Sequence, residues 1–308
     1  MSDEVRIGFV GLDTSHVSAF ARILCDESAE FHVPGARVVA AYPGGSPDME
    51  RSIGRVDGYT SELREAYGVE ITDTIEAVVE RSDAVFLESV DGRVHREQFE
   101  KIAPAGKPVF IDKPIAVTSR DADRIVELAR RHSVVFMSSS ALRYASPFVE
   151  ALADTSLGRV IGIDCAGPMQ IEPTQNGLFW YGIHTVEMVY AALGTGCARV
   201  SAVRTDEHDV VCGEWSDGRL ATVRGNRVGN TTFTAAIHRE NGTQLVDASA
   251  GRKPYYVGLL EAIMTMIRTG NAPIDPNETL EIVRFIEAAN TARFDGHGSA
   301  RLASATIN

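Results

Sequence analysis

From Val5 to Met137 the chain alternates between short apolar, β-branched runs and longer stretches of helical periodicity. The runs are VRIGFV (Val5–Val10), RVVAAY (Arg37–Tyr42), VEIT (Val69–Thr72), AVFLE (Ala84–Glu88), PVFI (Pro108–Ile111) and VVFM (Val134–Met137). Runs this short, separated by helical segments, predict parallel strands joined by crossover helices. The clearest of those helices, Ser119–His132, turns Ile125, Leu128 and Ala129 inward, with Ser119 available to cap its amino end.

Beyond Pro147 the pattern becomes alternating, with hairpin signals at Asp217-Gly218 and Asn241-Gly242. Helices are expected near Phe148–Ala153, over Gly182–Leu193, from about Tyr255 to Thr269, and through the terminal ETLEIVRFIEAANTARF. There Leu280, Val283, Ile286 and Ala289 recur at helical spacing. The predicted class is therefore α/β: an amino-terminal Rossmann domain with a doubly wound parallel sheet (1–120), then an α+β domain with a largely antiparallel sheet for substrate and oligomerisation (121–308).

Composition narrows the partners. With 308 residues, 44% hydrophobic and 23% charged, the chain can build two ordinary cores. A net charge of −12 speaks against nucleic acid or an anionic membrane as partner, because both need a cationic surface. Cys25, Cys165, Cys197 and Cys212 are scattered, so reduced thiols and no metal site are expected. The amino terminus passes from MSDE straight into a strand, without an export leader, and no apolar run is long enough to span a bilayer. A cytoplasmic protein is expected.

Three places carry candidate chemistry. Lys113 stands where the PVFID strand ends and Pro114 turns the chain; in open α/β sheets ligands bind outside the carboxyl ends of strands. After the first strand comes Gly11-Leu12-Asp13-Thr14-Ser15-His16, where a dinucleotide fold places its glycines. Only Gly11 fits that fingerprint, since Asp13 and His16 replace the second and third glycines. Asp13 is well placed to cap the following helix, and its carboxylate would then take the amide hydrogens that a phosphate needs. Facing a phosphate at about 4 Å, it would repel by about 1 kcal/mol in water and about 4 near a shielded surface, against a helix-dipole benefit of about 0.3–1 kcal/mol. The second strand closes on Tyr42-Pro43-Gly44-Gly45-Ser46 rather than on an acid for the adenosine ribose, and Asp48 comes late for that role. Third, GLFWYGIHTVEMVYAALG puts His184 early in a helix, with Tyr181 one turn before and Glu187 one turn after, either able to hold a neutral imidazole as general base. Arg143 and Tyr144 follow the sixth strand as candidates for binding substrate oxygens, with an interdomain tie as their competing role. His95, His208, His238 and His297 read as structural.

Taken together, GKPVFIDKPIA (Gly106–Ala116), RYASP (Arg143–Pro147), GIHTVE (Gly182–Glu187) and EAANTAR (Glu287–Arg293) resemble, in order, the glucose-fructose oxidoreductase, inositol dehydrogenase and MocA-type (Gfo/Idh/MocA) family. The resemblance implies an NAD- or NADP-dependent enzyme acting on a sugar, inositol or related polyol or ketone. It carries catalytic roles to Lys113 and His184, and cofactor binding to Gly11, Asp13, Thr14, Ser15, His16, Ser89 and Lys113. Substrate binding falls to Arg143, Tyr144, Trp180, Tyr181 and His184. Trp180 stands where many members carry an aspartate, and could stack on a sugar face. Two other readings remain beside this one: a cofactor-independent isomerase, lyase or hydrolase of a sugar derivative, and a non-catalytic ligand-binding homologue. A homodimer or homotetramer is expected, because a sheet with one open face is usually buried against another subunit.

Overall fold

The computed structural model describes residues 4–294 and 298–302, so His297 lies outside the described residues. These form two compact units. Among the described residues, the first comprises 4–116, 120–139 and 256–276, and the second 117–119, 140–255, 277–294 and 298–302. The division differs from a break at 120. The chain adds one more strand to the first unit before leaving it, and later returns to it with a helix.

The first unit holds six parallel strands, β1 (Val5–Val10), β2 (Ala36–Tyr42), β3 (Glu70–Ile71), β4 (Ala84–Leu87), β5 (Val109–Asp112) and β6 (Phe136–Ser139), ordered β3-β2-β1-β4-β5-β6. This is the doubly wound order, with its switch point between β1 and β4. The helices between them are α1 (Ser15–Cys25), α2 (Glu50–Tyr67), α3 (Ile75–Arg81), α4 (His95–Ile102) and α5 (Ser119–Arg131). β4 and β5 are buried along their whole length, as strands covered on both faces must be. Phe86 sits at the centre, 5.8 Å from Phe9 and 5.6 Å from Phe110 between ring centroids. β6 begins two residues later than its apolar run suggests, because Val134 N–H is spent on Ala129 O (2.8 Å) in closing α5.

The second unit carries β7 (Val160–Pro168), β8 (Cys197–Arg204), β9 (His208–Trp215), β10 (Leu220–Asn226), β11 (Thr234–Arg239), β12 (Gly242–Asp247) and β13 (Ser299–Arg301), ordered β12-β11-β7-β10-β9-β8-β13. All neighbours are antiparallel except β7 and β10. The predicted hairpins fall at Asp217-Gly218 between β9 and β10 and at Asn241-Gly242 between β11 and β12. Strict alternation of burial along β9 and β11 gives the sheet one packed face and one open face. The remaining helices are α6 (Ser146–Ala153), α7 (Gly182–Leu193), α8 (Tyr255–Thr269) and α9 (Pro276–Phe294). α7 packs on β7 and β10, while α8 from Tyr256 onward belongs to the first unit, where Tyr256 lies 5.6 Å from Phe20.

Candidate active site

The turn after β1 is shaped by a close approach. Gly11 has φ +92°, and a Cβ there would lie 2.3 Å from Ser89 Oγ, so only glycine fits. Its N–H and that of Leu12 donate to Tyr42 O (2.9 Å) and Pro43 O (2.7 Å), tying the turn to the end of β2.

Asp13 does not cap α1. The cap is Thr14, whose Oγ1 accepts from His16 N at 3.4 Å. The Asp13 carboxylate is turned away and buried, accepting from Ser52 Oγ (2.6 Å) and Val90 N (2.9 Å). Burial pushes its carboxyl upward, and these two hydrogen bonds oppose that shift. The expected competition between Asp13 and a phosphate for the first-turn amides therefore does not arise. Ser89 Oγ, lying over Gly11, is buried without a hydrogen-bond partner. A buried hydroxyl left unsatisfied is costly unless a ligand meets it, so the turn, the α1 terminus and Ser89 fit the phosphate end of a dinucleotide. At the ribose end the fit is poorer: Asp48 is held by Arg93 at 2.8 Å, and Arg93 also bonds Asp91 (2.7 Å).

Lys113 follows β5, nearly buried at 9% exposure, and its N–H donates to Asp112 Oδ1 at 2.8 Å. The turn it opens is fixed by His95, in keeping with its reading as a structural histidine. The His95 ring is fully buried, with Nδ1 2.9 Å from Pro114 O and Nε2 2.7 Å from Ser89 O. It thus braces the ends of β4 and β5 against each other. His16, Glu88 and Asp112 share the same sheet edge. Burial and the neighbouring Asp112 charge drive the Glu88 carboxyl well above its usual range; Asp112 is driven below its own because His16 and Lys113 outweigh its burial.

In the second unit, the short 3₁₀ turn Ala141–Tyr144 brings Arg143 and Tyr144 beside α7. Ser140 Oγ stands 2.7 Å from His184 Nδ1 and also accepts from Leu142 N at 3.2 Å. Neither Glu187 nor Tyr181 holds the imidazole by a hydrogen bond through Nδ1, as the helical spacing suggested. Tyr181 packs edge-on to it with centroids 5.5 Å apart, and Phe233 closes the other side at 5.6 Å. Phe233 gets there because Gly167 leaves room: a Cβ would meet its ring at 2.4 Å. Glu187 instead accepts from Arg143 Nε (2.9 Å), whose Nη2 donates to Glu278 Oε1 (2.6 Å). Burial raises the Glu187 carboxyl and Arg143 opposes the rise. These bonds lie inside the second unit, so they make Arg143 a tie within that unit and not the expected interdomain one. Trp180 is buried beside Tyr181, centroids 6.3 Å apart.

The structure thus gathers Gly11, Asp13, Thr14, Ser15, His16, Ser89 and Lys113 in one unit, and Arg143, Tyr144, Trp180, Tyr181 and His184 in the other. Glu88 and Ser140 were missed as functional residues. Glu88 carried a signal, an acid closing an otherwise apolar strand, whereas Ser140 is one of three consecutive serines and carried none. His208 and His238 have partners too, Asn226 Oδ1 at 3.2 Å and Asp164 Oδ2 at 2.8 Å.

A Rossmann unit of this order, with a phosphate-suited turn, defines the dinucleotide-binding class of α/β proteins. Residues 5–140 match the Gfo/Idh/MocA model, described as an oxidoreductase family with an NAD-binding Rossmann fold. It is 32% identical over 133 residues to 1,5-anhydro-D-fructose reductase of Ensifer adhaerens, covering 42% of this chain and 39% of that protein. It is also 32% identical over 126 residues to inositol 2-dehydrogenase of Cereibacter sphaeroides, covering 40% and 32%. The matches to these two relatives thus span well under half of each. The whole fold is similar to that of apo scyllo-inositol dehydrogenase from Lactobacillus casei, with TM-score 0.80 at 16% identity over 99% of this chain and 100% of that one.

Proposed function

We propose that the chain is an NAD(P)-dependent oxidoreductase that moves a hydride to or from a sugar, inositol or related polyol or ketone. The observation that carries this reading is the Ser89 hydroxyl, buried and unpartnered over Gly11 at the start of α1, within residues that match an NAD-binding family. The names of two relatives, an anhydrofructose reductase and an inositol dehydrogenase, support the substrate class. The Thr14 and Ser15 amides and hydroxyls, with the Ser89 hydroxyl, would hold the phosphates, since the Gly11, Leu12 and His16 amides are already spent. A dinucleotide held there would supply hydride-transfer chemistry.

The chain's own residues manage the proton and the charge. His184, oriented by Ser140 and walled by Tyr181 and Phe233, takes the proton from the substrate hydroxyl in oxidation and returns it in reduction. The Lys113 ammonium steadies the alkoxide that develops as hydride leaves. Tyr144, Trp180 and Tyr181 contact the substrate, while Arg143, held by Glu187 and Glu278, supports the wall they form. Turnover of NAD⁺ or NADP⁺ against a panel of inositols and aldoses, and of NADH or NADPH against keto sugars, tests this. Activity on at least one polyol or ketone, lost in Lys113→Ala and in His184→Ala, is expected; turnover untouched by both substitutions overturns the assignment.

One observation favours a second reading, a cofactor-independent lyase, isomerase or hydrolase. Asp13 and His16 stand in place of glycines, and β2 ends without a ribose acid. That reading predicts conversion of a sugar derivative with no dinucleotide present.

A further inference from the structure

We propose that His16, Glu88 and Asp112 form a binding site for one first-row divalent cation. His16 lies in the first turn of α1, Glu88 directly follows β4, and Asp112 ends β5, whose Ile111 pairs with Leu87 of β4. The topology therefore delivers all three to one point on the carboxyl edge of the parallel sheet. One ligand atom from each lies within 4.8 Å of the others, close enough for small side-chain rotations to bring them onto a common ion.

The arrangement is hard to explain without an occupant. Glu88 is 0% exposed and neither of its oxygens has a hydrogen-bond partner. His16 Nδ1 and Asp112 Oδ2 are 3.0 Å apart, yet neither is aligned for a hydrogen bond. The other Asp112 oxygen is already committed to Lys113 N at 2.8 Å, which orients Oδ2 toward the cluster. Two buried carboxylates side by side cost several kcal/mol after relaxation unless a counter-charge meets them. Asp112 has both His16 and Lys113 as positive neighbours, but Glu88 has only Lys113 against the negative charges of Asp112 and Asp13, so the cluster retains room for a cation on the Glu88 side.

One imidazole nitrogen with two carboxylates is a donor set for Zn²⁺, Mn²⁺ or Fe²⁺ rather than for a thiophilic ion. No cysteine belongs to the cluster. The nearby ammonium of Lys113 opposes the ion, which points to micromolar rather than nanomolar affinity. The site shares its sheet edge with the proposed dinucleotide turn but does not depend on that reading, and its test is run without dinucleotide.

The experiment is calorimetric titration of the chelator-treated full chain with Zn²⁺ and with Mn²⁺, paired with absorption spectra of the Co²⁺-loaded protein. Expected is one saturable equivalent, with affinity reduced at least about tenfold in Glu88→Gln and in His16→Asn, ligand-shell changes commonly costing that much. His16 is partly exposed, so its variant folds even if the buried one does not. Absence of saturable binding overturns the proposal; so does binding that both substitutions leave unchanged, which would mean an adventitious ion on surface groups. A Co²⁺ spectrum altered by His16→Asn supports it.

Discussion

The His184 ring is oriented by Ser140 Oγ at 2.7 Å, with the rings of Tyr181 and Phe233 packed against it. A hydrogen bond of this kind is worth about 1 kcal/mol, so Ser140→Ala is expected to lower kcat about fivefold, with the substrate KM little changed. Removing the base itself, His184→Ala, should lower kcat by about 10² to 10⁴ while dinucleotide affinity stays at the wild-type value. Steady-state kinetics of the two variants separate orientation from proton transfer. The sequence made His184 visible because a histidine early in an apolar helix, flanked by Tyr181 and Glu187, is unusual. It could not reveal which group holds the ring: helical spacing favours neighbours on α7, while the partner comes from a distant turn. The same limit hid the partners of His95, which are backbone carbonyls at Pro114, Ile115 and Ser89, and backbone acceptors leave no trace in residue types. The cysteines offer a residue-scale test of pH dependence. Burial pushes the Cys197 thiol up to about 12 and raises Cys25, Cys165 and Cys212 as well. At pH 8 about one Cys197 in 10⁴ is then thiolate, the reactive form. Alkylation of the native protein followed by mass spectrometry should be slow at pH 8 and accelerate as pH rises; rapid labelling of Cys197 at pH 8 would refute its burial.

Elements were easier to read than their ends. α7 and α8 fall on their expected residues, and β1 does too, because periodicity and flanking turn residues agree there. β5 starts one residue later than the apolar run, since Pro108 has no N–H to give to the ladder and contributes only its carbonyl, to Val85 N at 3.0 Å. What the hydrophobic pattern could not show is how polar groups fasten elements together. Asp209 at the start of β9 is fully buried between Arg227 and Arg293, its Oδ1 2.7 Å from Arg293 Nε. This ties α9 to the sheet of the second unit. Asp209→Ala leaves two arginines without their shared carboxylate, a change that typically costs about 3–5 kcal/mol when the pair is buried. Urea denaturation should show a loss of that order; a loss below about 1 kcal/mol would mean that water replaces the carboxylate without strain.

At the scale of the molecule, the alternation of short apolar runs and helices was enough to give a parallel doubly wound sheet followed by a largely antiparallel one, though not the parallel pairing of β7 with β10 inside it. The break between the units was not legible: β6 and α8 join the first unit through packing, as when Arg268 Nη2 bonds Pro34 O at 2.8 Å, and local periodicity cannot register a return over that sequence distance. No described helix is long and apolar enough to cross a membrane. On the open face of the second sheet Leu245 is 83% and Leu220 53% exposed, and apolar groups so placed favour association with a second copy. Light scattering should therefore report a dimer or tetramer at micromolar concentration, and a monomer would contradict it. The central claim is that the turn from Gly11 to His16, despite its acid and its histidine, still receives a dinucleotide because Asp13 is tied back to Ser52 and Val90. Fluorescence titration of the purified protein with NADH and with NADPH tests it most directly. Saturable binding of at least one, weakened when Gly11 is replaced by valine, is the predicted result. Failure of both to bind at millimolar concentration would contradict the account.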